Sequence, residues 1–317
     1  MRIAVIGKGG VAARHLGVLR ELPGLELVGH LSADAARAEA QARQWGGGSY
    51  THLEHLLDSE RPEAVWVCVT PDRHGQLEET LIERGIPFFV EKPLAVDVST
   101  AERIAARLEQ RALVVAVGYK FRALDTVVVT RRLLDERPAR MVLAAWHDRT
   151  PAPAWWQDAS RSGGQIVEQA THLVDLARVL VGEPQIVAAV SRRVPRQAFA
   201  ASSVDEVSGA LLRFPDDVPG TLTATCLLEG NLAAHLQLVC EGRVLTLSER
   251  ALRVDTGRET YEIRSTVDAF LVEDTAFVEA VRMDDRSAVL CDYADALKTH
   301  RICAGIRAAS AQPQLAS

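Results

Sequence analysis

Apolar residues in the first 117 positions form short, nearly continuous runs that alternate with stretches of helical spacing. Met1 to Ile6 is such a run, the pattern of a strand covered on both faces in a parallel sheet. Beyond Gly7-Lys8-Gly9-Gly10, the residues Val11, Ala12, His15/Leu16 and Leu19 recur at helical spacing, and Pro23-Gly24 stops that helix. Leu25 to Leu31 predicts a second strand, and an Ala/Arg/Glu-rich helix follows from Asp34 to Trp45, closed by Gly46-Gly47-Gly48. Ala64 to Val69 and Pro87 to Val90 read as buried strands, separated by a helix over Leu77 to Arg84 that ends at Gly85. Ala101, Ile104, Ala105 and Leu108 share one helical face, with Asp97 as its N-cap, and the strand Ala112 to Val117 closes the series. Strands alternating with helices of this length predict right-handed βαβ units in a doubly wound parallel sheet.

The pattern changes after residue 121. Arg140 to His147, Ile186 to Arg192, Val204 to Phe214, Thr221 to Leu228, Ala233 to Cys240 and Arg243 to Leu247 are strand-like. Pro215-Asp216-Asp217, Glu229-Gly230-Asn231 and Glu241-Gly242 supply turns, and Ala251 to Asp255 with Glu259 to Ile263 extend the series across Thr256-Gly257. Short turns between strands predict an open antiparallel sheet. Helices near Phe270 to Val281 and Tyr293 to Ala309 finish the chain, which contains no internal repeat. The 317 residues are about twice a typical domain length, so two domains are expected: a Rossmann domain over 1–121 and an α+β domain over 122–317.

Hydrophobic residues at 48% and charged residues at 25% are ordinary for a globular chain. The formal net charge of −6, without any basic block, gives no electrostatic reason to expect nucleic acid or an anionic membrane as partner. No apolar run approaches the roughly 20 residues that cross a bilayer. The N-terminal strand runs straight into a turn motif, unlike a cleavable leader. Five cysteines without a Cys-x-x-Cys pair fit reduced, buried thiols and a cytoplasmic location. Only four lysines are present, Lys8, Lys92, Lys120 and Lys298. Where a lysine does occur its chemistry is a candidate reason, because arginine does not readily give up a proton.

Gly7-x-Gly9-x-x-Ala12 lies between a strand and a helix, where a dinucleotide fingerprint belongs. Gly7 permits the tight turn, Gly9 lets backbone approach a pyrophosphate, and Ala12 allows close packing of helix on strand. Free N–H groups at the start of the helix, around Gly10 and Val11, face the phosphates. An NAD-type ribose contact calls for an acidic residue about 20 positions on. Ser32 stands there, with Asp34 already at a helix start and Arg37 nearby, which leans the cofactor toward NADP over NAD.

Two further motifs carry chemistry. Glu91-Lys92-Pro93-Leu94 follows a strand, and carboxyl ends of strands line the ligand crevice of such a sheet, so the Glu-Lys pair is expected to face the cofactor edge. In Ser162 to Leu176, a single helix would place Glu168, His172 and Asp175 on one face. A carboxylate one turn from a histidine can orient the imidazole and tune it for proton transfer. The same trio could ligate a metal, but no further histidine or cysteine stands at suitable spacing, and no metal is expected.

Taken in order, Gly7-x-Gly9-Gly10-x-Ala12, Thr70-Pro71, Glu91-Lys92-Pro93-Leu94, Gly118-Tyr119 and Gly163-Gly164…His172-x-x-Asp175 resemble the glucose–fructose oxidoreductase / inositol dehydrogenase (Gfo/Idh/MocA) family. The resemblance implies an NAD(P)-dependent oxidoreductase with a Rossmann domain and an open-sheet domain. It also implies that Lys92 and His172 are the catalytic pair, with Glu168 where the family usually has Asp and Ala170 where it usually has Gly. The cofactor set expected with it is Gly7, Gly9, Gly10, Val11, Ala12, Ser32, Thr70, Pro71, His74, Glu91 and Lys92. Tyr119, Arg122, Trp155, Trp156 and Asp175 are candidate substrate contacts, the tryptophans because aromatic faces stack on sugar C–H surfaces. The expected reaction is hydride transfer between nicotinamide and a carbinol or carbonyl carbon of a sugar, inositol or related polyol. The alternatives are reduction of a non-sugar carbonyl, imine or cyclic diol, or a non-catalytic NAD(P)-binding regulator. An uncovered apolar face of the second sheet is expected to pair subunits into a homodimer or homotetramer.

Overall fold

The computed structural model describes residues 1–311. The chain forms two compact units, one of Met1–Ala95, Ser99–Ala123 and Asp268–Leu297, the other of Val96–Val98, Leu124–Val267 and the described residues 298–311. The stretch 268–297 thus packs with the first unit instead of the second, where the residue-121 boundary had placed it.

The first unit runs β1 (Arg2–Ile6), α1 (Gly10–Leu19), β2 (Glu26–Leu31), α2 (Ala35–Trp45), β3 (Gly48–Tyr50), α3 (Leu53–Glu60), β4 (Ala64–Val67), α4 (Gln76–Arg84), β5 (Phe88–Val90), α5 (Val98–Glu109) and β6 (Val115–Val117). All pairs are parallel, in the order β3-β2-β1-β4-β5-β6. Strand residues alternate between two cores. Ala4, Ile6, Val65, Val67, Phe88 and Val90 enter one, while Ile3, Val5, Ala64, Trp66 and Phe89 enter the other. Strand order reverses between β1 and β4, so the crevice opens at their carboxyl ends. β3 and α3 escape the periodicity argument: β3 is three residues in a glycine-rich stretch, and α3 buries only Leu53, Leu56 and Leu57.

The second unit comprises α6 (Asp125–Glu136), β7 (Ala139–Arg149), α7 (Ala159–Ser162), α8 (Gln165–Glu168), α9 (Thr171–Val181), β8 (Gln185–Arg192), β9 (Val207–Arg213), β10 (Pro219–Leu228), β11 (Ala233–Cys240), β12 (Arg243–Ser248), β13 (Ala251–Asp255) and β14 (Thr260–Arg264). Its eight strands are ordered β14-β13-β12-β11-β7-β10-β9-β8. The expected antiparallel sheet is corrected at one place: β7 and β10 are parallel. The chain leaves β7 through the helices α7–α9 and re-enters at the far edge with β8, so it reaches β10 running the same way as β7. Val142, Ala144, Leu222, Ala224, Leu236 and Leu238 are buried on the face that packs against α9. The opposite face is mixed instead of uniformly apolar, with Leu211, Thr221, Leu143 and Gln237 in one cross-strand row.

The chain ends with α10 (Ala269–Met283) and α11 (Tyr293–Ser310). Asp268 caps α10 by accepting the Phe270 N–H, and Phe277, Val278 and Ala280 complete the core of the first unit on the Trp66 side.

Candidate active site

Gly7 ends β1 with φ +113°, and a Cβ there would collide with the Cys68 carbonyl that closes β4. Its N–H donates to the Leu31 carbonyl at 3.0 Å, and the Gln41 amide donates to its carbonyl at 3.0 Å. α1 starts from Gly9, which offers no side-chain cap, and Cβ positions at Gly9 and Gly10 would meet nothing within 4 Å. The uncapped N–H groups of Gly10 and Val11 therefore border open space, a cradle that suits a pyrophosphate. Ala12 is fully buried behind them. Gly7→Ala is expected to weaken nicotinamide dinucleotide binding more than about tenfold and lower the unfolding midpoint, because it combines positive φ with a backbone collision. Fluorescence titration with NADPH and thermal unfolding check this, and wild-type affinity would remove the loop from the cofactor site.

Ser32 follows β2 directly and accepts the Asp34 N–H at 3.3 Å. Asp34 caps α2 and pairs with Arg37 at 3.1 Å and Lys8 at 3.8 Å, so this acidic group is already faced by two cations. After β4, Thr70 Oγ1 donates to Asp72 at 2.5 Å and Pro71 is buried. His74 is buried with Nδ1 2.5 Å from Glu78 Oε1, while Glu78 Oε2 accepts the Gly75 N–H at 2.6 Å. Its Nε2 is buried without a hydrogen-bond partner, an open valence beside the crevice strands.

At the end of β5 the Glu-Lys pair divides. Lys92 is half-buried, whereas Glu91 turns away from the expected cofactor edge into the interior, 6% exposed, with Oε1 3.0 Å from His15 Nε2. His15 Nδ1 lies 2.8 and 2.9 Å from the two Asp274 oxygens, and Trp66 Nε1 donates to Asp274 Oδ1 at 2.8 Å. Burial alone would lower the His15 pKa, but Asp274 and then Glu91 outweigh it and push it up to about 10. Burial pushes the Asp274 carboxyl up. Two N–H donors converging on that carboxylate nevertheless favour the ionised pair. Burial, reinforced by Glu91, raises Glu273 well above the usual carboxylate range, so it stays protonated.

The expected Tyr119 and Arg122 contacts serve other ends. Tyr119 is 2% exposed in the sheet core, and Arg122 donates to Asp295 at 2.6 Å while its guanidinium lies over the Tyr119 ring.

In the second unit, Ser162 to Leu176 is not one helix. α8 ends at Glu168, the Ala170 N–H reaches back to the Gln165 carbonyl at 2.9 Å, and α9 restarts at Thr171. The i, i+4, i+7 face of Glu168, His172 and Asp175 is therefore broken. Glu168 Oε2 accepts the Trp156 indole N–H at 2.7 Å. Asp175, 1% exposed, accepts from Thr299 at 2.7 Å and pairs with Arg178 at 3.7 Å. It anchors α9 to α11. Trp156 is buried with Val204 and Cys226, so it anchors the loop through packing and holds Glu168, while Trp155 packs partly buried beside it. His172 is 5% exposed at the start of α9, with its ring stacked on Trp146 at 6.1 Å between centroids and 22° between planes.

The chain is similar to known proteins over both units. The model of the oxidoreductase family with an NAD-binding Rossmann fold matches residues 1–119, and the Gfo/Idh/MocA C-terminal domain model matches residues 138–246. The chain belongs to the Gfo/Idh/MocA family. It is an NAD(P)-dependent oxidoreductase. Myo-inositol dehydrogenase Hyg17 of Streptomyces leeuwenhoekii is 29% identical over 233 residues, 71% of this chain and 69% of the relative. 4-Carboxy-2-hydroxymuconate-6-semialdehyde dehydrogenase of Sphingobium sp. is 25% identical over 291 residues, 89% of this chain and 90% of the relative. In fold, it is similar to the 3-ketoreductase KijD10 of Actinomadura kijaniata, solved with NADP and TDP-benzene, with TM-score 0.86 and 20% identity, covering 98% and 97% of the two chains.

For this Gfo/Idh/MocA protein, sequence reasoning missed His15, Asp274 and Gln41, and among the tryptophans it singled out Trp155 and Trp156 but not Trp146. Trp146 is flanked across the sheet by Ala224 and Ala234, whose small side chains make room for the indole, and its Nε1 is buried without a hydrogen-bond partner. The alanine pairing was present in the strands but invisible until their register was known.

Proposed function

We propose that the protein catalyses reversible hydride transfer between NADP(H) and a carbinol or carbonyl carbon of a sugar, inositol or related polyol. His172, a buried imidazole stacked on Trp146, carries the reading, because this setting suits an acid–base group that must hold one orientation. The nicotinamide supplies or accepts the hydride when bound. His172 takes or returns the hydroxyl proton, and Lys92 stabilises negative charge as it develops on that oxygen. Glu168, fixed by the Trp156 indole, serves as a hydroxyl acceptor or orienting carboxylate. The glycine loop with Ser32, Thr70, Pro71 and His74 holds the nucleotide. Lys8 and Arg37 around Asp34 offer positive charge to a 2′-phosphate, which supports NADP over NAD.

The relative of inositol dehydrogenase type supports the polyol reading, and the semialdehyde dehydrogenase relative, spanning more of the chain, supports a second one in which the substrate is a non-sugar carbonyl. Among the described residues no helix is long and apolar enough to cross a membrane. All five cysteines are buried, which fits thiols in a reducing, cytoplasmic setting. Leu143, Leu211 and Thr221 on the open sheet face are a surface for a homodimer or homotetramer. Nicotinamide absorbance would be followed with a panel of sugars, inositols, their keto forms and carboxylated semialdehydes, each with both cofactors. Turnover of a polyol with higher kcat/KM for NADP is expected. Turnover confined to semialdehydes would move the assignment to the second reading, and none with any compound despite cofactor binding would leave a non-catalytic regulator.

A further inference from the structure

Both ring nitrogens of His15 lie at hydrogen-bond distance from carboxylates, Nδ1 at 2.8 Å from Asp274 and Nε2 at 3.0 Å from Glu91. A neutral imidazole has one N–H to give, so satisfying both contacts with ionised carboxylates takes the imidazolium. The ring is fully buried and lies edge-on to Phe89 and Phe270, each 5.0 Å away between centroids. An ion group in such a setting is a poor way to stabilise a core, since apolar side chains of equal volume do as well or better. What the group does provide is direction. His15 is on α1, whose N-terminus forms the pyrophosphate cradle, and Glu91 immediately precedes Lys92. Gly118 is shaped to this arrangement, because a Cβ there would lie 2.6 Å from Glu91 Oε1.

We propose that His15 is a positioning residue, a cationic clamp that fixes the Glu91–Lys92 turn to the dinucleotide-binding helix α1 and to α10 through Asp274. The proposal rests on the reading that Lys92 acts in the reaction. The groups facing His15 are Asp274 and Glu273 from α10 and Glu91 after β5, while Cys68 after β4 and Lys120 after β6 lie within charge reach of those carboxyl groups. His15, Glu91 and Glu273 present ligand atoms within 4.8 Å of one another. The imidazole–carboxylate separations are those a shared proton spans, so we assign protons and not a metal ion to the cluster. Because its folded pKa is raised from 6.5 to about 10, the clamp stabilises the fold fully below pH 6.5 and loses this contribution as pH rises through about 10.

Two near-isosteric variants separate the arms of the clamp. His15→Gln puts an amide nitrogen near the Nε2 position and keeps the reach to Glu91, whereas His15→Asn keeps the reach to Asp274 only. Both remove the charge. With a substrate found in the panel, kcat is expected to fall about tenfold or more in His15→Asn, and within about threefold of wild type in His15→Gln, with the cofactor KM nearly constant in both. Equal losses, or losses ranked with the unfolding midpoints, would reduce His15 to a structural role. A substrate-free readout keeps this distinct from failure of the functional reading. Reductive 13C-methylation of the four lysines gives resolvable signals, with Lys92 assigned from Lys92→Arg. The Lys92 methyl resonance is expected to move in His15→Asn while those of Lys8 and Lys298 stay, and an unmoved Lys92 signal overturns the proposal even if no substrate is known. In 15N-histidine spectra His15 should remain doubly protonated at pH 8, and loss of that proton on adding Zn2+ would replace the clamp by a metal site.

Discussion

His172→Gln is expected to reduce kcat by about 10²–10⁴-fold, the usual contribution of a positioned acid–base group. Glutamine preserves most of the bulk against Trp146 and can still hydrogen-bond, but it cannot accept and return a proton. The ring is 5% exposed and stacked on the indole at 6.1 Å, so the lost function is proton transfer and not access. NADPH affinity should stay within about twofold, because the nucleotide cradle is formed by α1 and the turns after β2 and β4 of the first unit, whereas His172 is on α9 of the second. Stopped-flow absorbance under single turnover separates the chemical step from product release. A kcat within about threefold of wild type would show that the proton moves through another group, and Glu168 would be the next residue to replace.

The parallel sheet was legible because its strands are buried on both faces and appear as unbroken apolar runs. Ala64-Val65-Trp66-Val67 is an instance: the run alone predicts a strand, and the structure shows its odd and even positions entering different cores. β3 carried no such signal, since Gly48-Ser49-Tyr50 is three residues long with Tyr50 as its one apolar side chain. The parallel β7–β10 pair was illegible for another reason. Turn chemistry reports only on sequential strands, and the strands β8 and β9 intervene between these two. At the site, the glycine loop, Lys92 and His172 were readable because each is tied to a motif with a fixed local geometry. The helical face of Glu168, His172 and Asp175 was misread because periodicity assumes an unbroken helix. The Ala170-to-Gln165 hydrogen bond closes α8 one residue late and resets the phase before His172. His15 was taken as part of an apolar helical face, and in burial it is. Its charge partners come from residues 91 and 274, distances in sequence over which pattern reasoning has no reach.

Lys92→Ala is expected to lower kcat/KM by about 10²–10³-fold, comparable with removing one preorganised donor from a developing oxyanion. Lys92 follows the strand end of β5 and is half-buried, flanked by the buried Glu91 on one side and buried Pro93 and Leu94 on the other, so its backbone is held between buried neighbours. Lys92→Arg should recover little. Its charge is retained, but a planar guanidinium is larger and is not interchangeable with a compact ammonium at a site shaped for one. Primary alkylamines added to Lys92→Ala are expected to restore part of the rate, with larger amines failing as they exceed the vacated volume. That rescue distinguishes a missing cation from a distorted turn, since a distorted turn cannot be repaired by a diffusible amine. If Lys92→Ala turns over within about threefold of wild type, charge stabilisation belongs elsewhere. Lys120, after β6 of the first unit, is then the next cation to replace; its ammonium lies 5.2 Å from the Phe270 ring centroid beside the His15 cluster.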